Sequence, residues 1–146
     1  MVLFYFFIFS LVDSRKVLGD LSNIFFSHAS WWSYNAMLRH MKYYYHQLQD
    51  PDLASTKMAF SSYPGFLQSL DDFYILSSGL VMVQTTNSLF NHSLYDAVRP
   101  ESVLAWMRVR VANLYARTGE HWHKLMQTAN SGTYENQYMV RHASSS

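Results

Sequence analysis

Residues 72–86 read DFYILSSGLVMVQTT, and this stretch decides the fold class. Asp72 to Ser77 and Leu80 to Thr86 are both rich in aromatic and branched aliphatic residues, and Ser78-Gly79 separates them. Two short runs of this composition, joined by a pair that contains glycine, are typical of a β-hairpin. We therefore predict that the two runs pair as adjacent antiparallel strands.

Further strands are predicted on both sides of this hairpin. Met58 to Ser62 reads as a strand, and a Tyr63-Pro64-Gly65 turn follows it. Asn23 to Ser27 is apolar, and we predict that it forms a strand leading to His28. A last strand is predicted near Gln137 to Val140.

Three helices are predicted from apolar residues spaced three and four positions apart. The first covers roughly Ser33 to Gln49 and ends at Asp50-Pro51-Asp52; its apolar face comprises Tyr34, Met37, Leu38, Met41, Tyr45 and Leu48. The second runs from about Glu101 to Arg117, between Pro100 and Gly119, with Val103, Leu104, Met107, Val111 and Leu114 on one face. The third covers Glu120 to Gln127. Helices and a hairpin in this order indicate an α+β layered architecture.

The composition is that of one folded domain with few charges. The chain has 146 residues, of which 49% are hydrophobic, 17% aromatic and 14% charged, and this argues against disorder. The formal net charge is +1 and Lys and Arg do not cluster, so nucleic acid is not an expected partner. Protonation of all seven histidines would move the charge from +1 to +8, which suits an acidic compartment.

The absence of cysteine excludes several kinds of chemistry. Disulfides, thiolate catalysis and cysteine-based zinc sites are all impossible for a chain with no cysteine. Residues 1–12 are strongly apolar but too few to span a bilayer as a helix. They are open to three interpretations: a signal peptide, a buried strand, or a wrongly joined start of the chain. No transmembrane helix is expected.

Short motifs for metal or nucleophilic chemistry are not convincing. His121 and His123 are two positions apart, so on a helix they point to different faces, and no metal site is predicted. Adjacent Asp71 and Asp72 cannot readily act as paired acids, and Asp71 is better explained as a turn residue. No serine lies in a nucleophile elbow, and no cofactor is predicted. Asn91-His92-Ser93 matches an N-glycosylation acceptor.

Several segments together resemble the phospholipase B-like family, which includes the lamina-ancestor and lysosomal phospholipase-B-like proteins. The first segment is FSSYPG at 60–65, continuing into DDFYILSSGL at 71–80 and TTN at 85–87. The second is SGTYENQYMV at 131–140, close to the family's NSGTYNNQWMV. The third is HASW at 28–31 with NAMLR at 35–39, similar to the family's HNTW followed by MLR; VAN at 111–113 also fits. The resemblance covers about residues 16 to 140.

The resemblance implies an N-terminal-nucleophile hydrolase with an αββα sandwich, of which residues 13–146 would form a part. In such enzymes a precursor cleaves itself before a cysteine, and the new α-amino group then serves as the base for the thiol. The implied reaction is hydrolysis of a lipid acyl ester or amide bond, with a phospholipid or other acyl lipid as substrate. A secreted or lysosomal location is implied as well.

This chain departs from the family at the nucleophile. Counting back from His28 puts the family's cysteine at or near Leu11. Ser10 and Ser14 are nearby, but neither has a demonstrated role. The resemblance implies that His28 and Trp31 sit beside the nucleophile and that Thr86 lines the same pocket. Each of these three also has a purely structural explanation, and Asn130, a weaker candidate, fits a turn former better.

Three readings follow for the function of this chain. The preferred one is an incomplete phospholipase B-like hydrolase that lacks its nucleophile and the remaining part of the family fold. The alternative from another class is a non-catalytic lipid-binding or interaction module. The third is a fragment that does not fold alone.

Overall fold

The computed structural model describes residues 10–12, 25–28, 38–69 and 73–143. A five-stranded antiparallel sheet occupies the centre, in the order β3-β4-β5-β6-β7, and a two-stranded antiparallel sheet pairs β1 with β2. The strands are β1 (Ser10–Val12), β2 (Phe25–Ser27), β3 (His40–Tyr45), β4 (Lys57–Ser62), β5 (Phe73–Leu76), β6 (Leu80–Thr86) and β7 (Asn136–His142). The helices are a 3-10 helix (His92–Ala97), α1 (Ala105–Tyr115) and α2 (Gly119–Gln127).

The predicted hairpin is confirmed as β5 and β6. Phe73 pairs with Val83 and Ile75 with Val81, and the Gly79 N–H donates to the Leu76 carbonyl at 3.0 Å to close the turn. Gly79 has a φ of +84°, a conformation that glycine adopts without the steric cost of a Cβ. The strand predicted at 58–62 and the last strand predicted near 137–140 are confirmed as β4 and β7.

The core lies between one face of the sheet and the two α-helices. Alternate residues of β4, β5 and β6 point toward the helices and are buried, and Phe60 and Tyr74 stack there at 4.9 Å between ring centroids. Trp122 of α2 is buried against them. Each side chain of this size contributes about 1.5–3 kcal/mol when fully removed from water, so this cluster dominates the stability of the fold.

The prediction of a first helix over 33–49 is wrong for the part that the structure describes. Residues 40–45 form β3, which pairs with β4 along its whole length, while residues 33–37 lie outside the described part. The expected apolar face is not buried, since Leu38, Met41, Tyr45 and Leu48 are all exposed. The side chain that packs on the core is Tyr44, whose ring meets Phe60 edge-on at 5.0 Å. Three consecutive tyrosines favour a strand, and pairing with β4 overrides the helical spacing.

The other two predicted helices exist, but the apolar face predicted for the helix over 101–117 is only partly right: of its residues, Leu114 packs against the core. Helix α1 is shorter than the range 101–117, and Leu104, Met107 and Val111 are exposed. Its buried apolar residues are instead Ala105, Val109 and Ala112. Small side chains let the helix approach the sheet closely, so the larger residues turn outward. Helix α2 agrees with the prediction within one residue.

The opposite face of the sheet is covered in part by the two-stranded sheet. Phe26 of β2 meets Phe73 edge-on, with 5.6 Å between the ring centroids. It also lines a small apolar cavity with Val81, Val83 and Met139. The described residues thus form an α+β fold with helices on one face of a five-stranded antiparallel sheet. In the described part of the chain, no helix is both long and apolar enough to cross a membrane.

Candidate functional site

Two of the positions that the family resemblance assigns to the chemistry lie on the two-stranded sheet or directly after it. Leu11, where the family's cysteine is expected, pairs with Phe26, and Ser10 pairs with Ser27. His28 follows β2 directly and is half-buried. His28 is two residues beyond Phe26, the residue that pairs with Leu11. The backbones of Leu11 and His28 are therefore diagonal neighbours at the end of this sheet.

Strand β6 carries Thr86 as its last residue. Phe26 of β2 packs beside Val83, and Thr86 ends β6 three residues further along. Its backbone pairs with Asn136 of β7. Next to this pair, the Asn136 side-chain amide donates to the Oε1 of the buried Gln84 at 3.1 Å. The approach of His28 to Thr86 remains a prediction, and Trp31, Asp71 and Asp72 lie outside the described residues.

Asn130 forms a turn in the structure, in agreement with its interpretation as a turn former. Its Oδ1 accepts a hydrogen bond from the Gly132 N–H at 2.8 Å, which is an Asx turn. Its Nδ2 donates to Glu135 Oε2 at 3.3 Å. Both contacts lie within the segment 130–135 that precedes β7, so Asn130 shapes the loop that leads into the strand.

Arg108 is the main residue of this region that the sequence analysis missed. It lies on α1 and is only 4% exposed. Its Nε donates to the Val103 carbonyl at 3.0 Å, a terminal nitrogen donates to the Met126 carbonyl, and the other forms an ion pair with Glu135 at 3.2 Å. One buried guanidinium thus joins α1, the end of α2 and the loop before β7. The apolar run 103–114 contains two charges, Arg108 and Arg110, and the sequence alone does not distinguish the buried one.

The VAN segment at 111–113, which is part of the family resemblance, has a structural role. Asn113 is fully buried on α1, and its Oδ1 accepts a hydrogen bond from the indole N–H of Trp122 at 2.8 Å. A buried indole N–H requires such a partner, because leaving it without one costs the full desolvation penalty. Asn113 therefore fixes α1 against α2 within the core.

The hydroxyls of Ser55 and Ser77 hydrogen-bond to the backbone of the neighbouring strand segments. Ser55 Oγ donates to the Lys57 carbonyl at 2.9 Å and accepts from the Ser77 N–H at 3.1 Å. Ser77 Oγ in turn accepts from the N–H groups of Thr56 and Lys57 at 3.1 Å each. These hydrogen bonds connect the start of β4 to the end of β5. Both hydroxyls therefore have a structural role.

Tyr74 is a buried phenol rather than an acid–base group. Burial raises the pKa of Tyr74 to about 12, although the Ser69 N–H donates to its hydroxyl at 2.6 Å and opposes the shift. At that pKa the hydroxyl stays protonated across the physiological range. Its role is therefore to hold the 66–69 loop against the core.

The histidines of α2 do not converge. His121 and His123 are exposed on either side of the buried Trp122, and His123 Nε2 lies 2.9 Å from the Gln127 amide nitrogen. Within the described ranges, no three His, Asp or Glu side chains come together as a metal site. Between α2 and β7 lies an open groove of about 560 Å³ that His123 shares with Glu135, Asn136 and Tyr138.

Comparison with known proteins identifies the family. The family model for phospholipase B matches residues 11–145. The chain is 58% identical over 125 residues to phospholipase B-like 1 of Rattus norvegicus and 56% identical to that of Homo sapiens. It is 53% identical to phospholipase B of Crotalus adamanteus. Each match covers 86% of this chain but 23% of the relative, so the chain spans less than a quarter of their length. The chain belongs to the phospholipase B family.

Proposed function

We propose that this chain belongs to a lineage of hydrolases that cleave acyl ester or amide bonds of lipids, and that residues 13–146 represent part of its catalytic domain. The single observation that carries the proposal is the family match over residues 11–145. The match includes the two-stranded sheet except for Ser10, and the whole of the five-stranded sheet. We further propose that the complete fold is the αββα sandwich of N-terminal-nucleophile hydrolases. The described layers of helix, sheet and second small sheet are compatible with three of its four layers.

The first prediction is that this chain alone does not hydrolyse acyl lipids. The sequence contains no cysteine, and the position expected for the nucleophile is Leu11, whose side chain has no atom that can attack a carbonyl. The measurement is release of fatty acid from phosphatidylcholine vesicles and from short acyl esters at acidic and neutral pH. A variant with Ser10→Ala and Ser14→Ala is the control, and turnover clearly above that control would refute the prediction.

A non-catalytic lipid-binding or interaction module is the second candidate. The observation that favours it is Phe90, which is 92% exposed beside a 3-10 helix that has no buried residue; Leu94 and Tyr95 of that helix are exposed as well. Co-sedimentation with the same phosphatidylcholine vesicles tests this candidate. Vesicle binding that is reduced in Phe90→Ala supports the module, whereas a chain that stays in the supernatant contradicts it.

We also propose that the protein enters the secretory pathway, where it is secreted or reaches lysosomes, and that Asn91 carries an N-linked glycan. Asn91 is exposed, and its Oδ1 accepts hydrogen bonds from the Ser93 N–H at 3.2 Å and from the Ser93 hydroxyl at 2.8 Å. The second prediction is that protein secreted from animal cells loses mass on treatment with an N-glycosidase. Asn91→Gln should remove that shift, and an unchanged shift in this variant would exclude Asn91 as the site.

A further inference from the structure

A small cavity lies between the sheet, α1 and the loop that precedes β5. Its polar lining comes from Ser69 of the loop, Tyr74 of β5 and Gln84 of β6, and α1 contributes the apolar side chains of Ala105 and Val109. The space open to the centre of a water molecule is about 10 Å³. A cavity of this size has room for about one water molecule and for nothing much larger.

The hydroxyl of Ser69 is the group in this lining that needs a partner. Ser69 is 5% exposed, and its Oγ is buried without a hydrogen bond to any described residue. The buried serines Ser55, Ser62 and Ser131, by contrast, each donate from Oγ to a backbone carbonyl. A buried hydroxyl without a partner loses its hydration and gains nothing in return, which destabilises the folded chain. The cavity beside Ser69 is therefore expected to contain a partner for it.

Tyr74 contributes a hydrogen-bond donor to the same cavity. It is 2% exposed, and its oxygen accepts a hydrogen bond from the Ser69 N–H at 2.6 Å. That bond uses a lone pair of the oxygen and leaves the proton of the hydroxyl for a further acceptor. Since burial raises the pKa of Tyr74 to about 12, this proton is present throughout the physiological pH range.

We propose that this cavity binds one ordered water molecule, which accepts a hydrogen bond from the Tyr74 hydroxyl and forms a second one with Ser69 Oγ. Gln84 is the third partner: it is 3% exposed, and its Oε1 accepts from Asn136 at 3.1 Å, so its amide nitrogen is the group that donates to the water. Buried waters typically make about three hydrogen bonds. The described residues that line the cavity include no charged side chain, so a neutral ligand fits it better than an ion does.

The water connects three segments of the fold. It joins the loop 66–69 to β5 through Tyr74 and to β6 through Gln84, in addition to the direct hydrogen bond between the Ser69 N–H and Tyr74. A bridging water is nearly as favourable in enthalpy as a direct hydrogen bond, although its immobilisation costs entropy. Because its three partners are all at least nine-tenths buried, this water should exchange with the solvent slowly.

Two variants of nearly equal shape at Ser69 test the site. Ser69→Thr keeps the hydroxyl, whereas Ser69→Val replaces it with a methyl group, and Ser69→Thr is therefore the matched control. Magnetic relaxation dispersion of the solvent water counts the internal waters that exchange slowly. The count for Ser69→Thr should equal that of the natural chain, and the counts for Ser69→Val and for Tyr74→Phe should each be lower by one. A Ser69→Val variant that keeps the full count would overturn the proposal.

A crystal structure of the natural chain at high resolution is a second test, and it needs no variant to fold. One peak of solvent density is expected within about 2.5–3.2 Å of both Ser69 Oγ and the Tyr74 oxygen. A cavity without this peak, or a Ser69 hydroxyl that is bonded to another protein group, would overturn the proposal. Neither test depends on whether the chain hydrolyses or binds lipids.

Discussion

At the scale of single residues, Arg108 shows how one buried charge organises a loop. Its guanidinium donates to two backbone carbonyls and to Glu135, while Glu135 also accepts from Asn130. By contrast, Lys124 and Glu120 form an ion pair on the surface of α2, where both side chains are mostly exposed. A surface pair of this type contributes little. In the other pair Arg108 is buried while Glu135 is 51% exposed, so loss of Glu135 would leave a buried guanidinium with only its two carbonyl acceptors. The loop from Asn130 to Glu135 therefore depends on α1.

The third prediction concerns His46 and acid. Burial, and secondarily the positive charge of Arg110, lower the pKa of His46 below its ordinary value. His46 Nε2 lies 3.4 Å from an Arg110 nitrogen, and the Tyr44 ring packs against the imidazole at 5.7 Å between centroids. The unfolded chain therefore binds this proton more readily than the folded chain does. Stability should fall as the pH drops below the ordinary histidine value of about 6.5 toward the lowered one.

Denaturant unfolding of His46→Gln as a function of pH provides the measurement. Glutamine cannot take up the proton, so this variant should lose less stability between neutral and mildly acidic pH than the natural chain. His121→Gln, a change at an exposed position of α2, is the control and should keep the natural pH dependence. Identical pH profiles for the natural chain and His46→Gln would contradict the assignment.

At the scale of elements, the β5–β6 turn depends on a glycine in a restricted position. A Cβ at Gly79 would lie 2.8 Å from Cε1 of the His142 ring on β7, and φ is +84°. At Gly65, where φ is +76°, a Cβ would have nothing within 4 Å. The two sites therefore separate the cost of the backbone conformation from the cost of a side-chain clash.

The fourth prediction is that Gly79→Ala destabilises the fold more than Gly65→Ala. The left-handed backbone conformation alone costs about 1–2 kcal/mol for alanine at either site. The additional destabilisation by Gly79→Ala, compared with Gly65→Ala, comes from displacement of the His142 ring. It should therefore disappear when Gly79→Ala is made in a chain that also carries His142→Ala. Denaturant unfolding of the variants measures these terms. Equal effects at Gly65 and Gly79 would show that the His142 ring moves aside at no cost.

β3 is the element for which the sequence pattern was misleading. Apolar residues at 37, 38, 41, 45 and 48 match a helical stripe, while Lys42 and Tyr44 are the residues that turn toward the helices. Lys42 can face inward because its ammonium group donates to the carbonyls of Tyr63 and Phe66. The spacing of apolar residues along the chain contains no information about these distant acceptors. It therefore predicted the period of a helix instead of the two-residue period of a strand.

At the scale of the whole molecule, one face of the sheet is well covered and the other is covered only in part. The helices bury the inner face, whereas on the outer face Phe26 covers the region of Val83 and leaves Tyr43 of β3 exposed. The free energy of unfolding of a domain is only about 5–15 kcal/mol. Burial of one large apolar side chain contributes about 1.5–3 kcal/mol, so the loss of several such contacts would cancel most of that stability.

The fifth prediction is that a chain without residues 1–12 binds a hydrophobic dye strongly and melts without a sharp transition. This deletion removes β1, the pairing partner of β2, and so weakens the strand that holds Phe26 over Val83. A chain that begins at Ser10 retains β1 and should bind less dye. A sharp two-state transition with little dye binding after deletion of residues 1–12 would show that the five-stranded sheet and its helices are self-sufficient.

The hairpin at 72–86, the strands at 58–62 and 137–140 and the helix at 120–127 were readable from sequence, because glycine turns, two-residue alternation and apolar spacing are local properties. The family was recognisable for a similar reason, since its motifs are contiguous in sequence. Tertiary structure alone decided that 40–45 is a strand, that α1 packs through Ala105 and Ala112, and that Arg108 joins three segments. Each of these depends on partners distant in sequence, and the free energy of pairing and burial there outweighs the local preference.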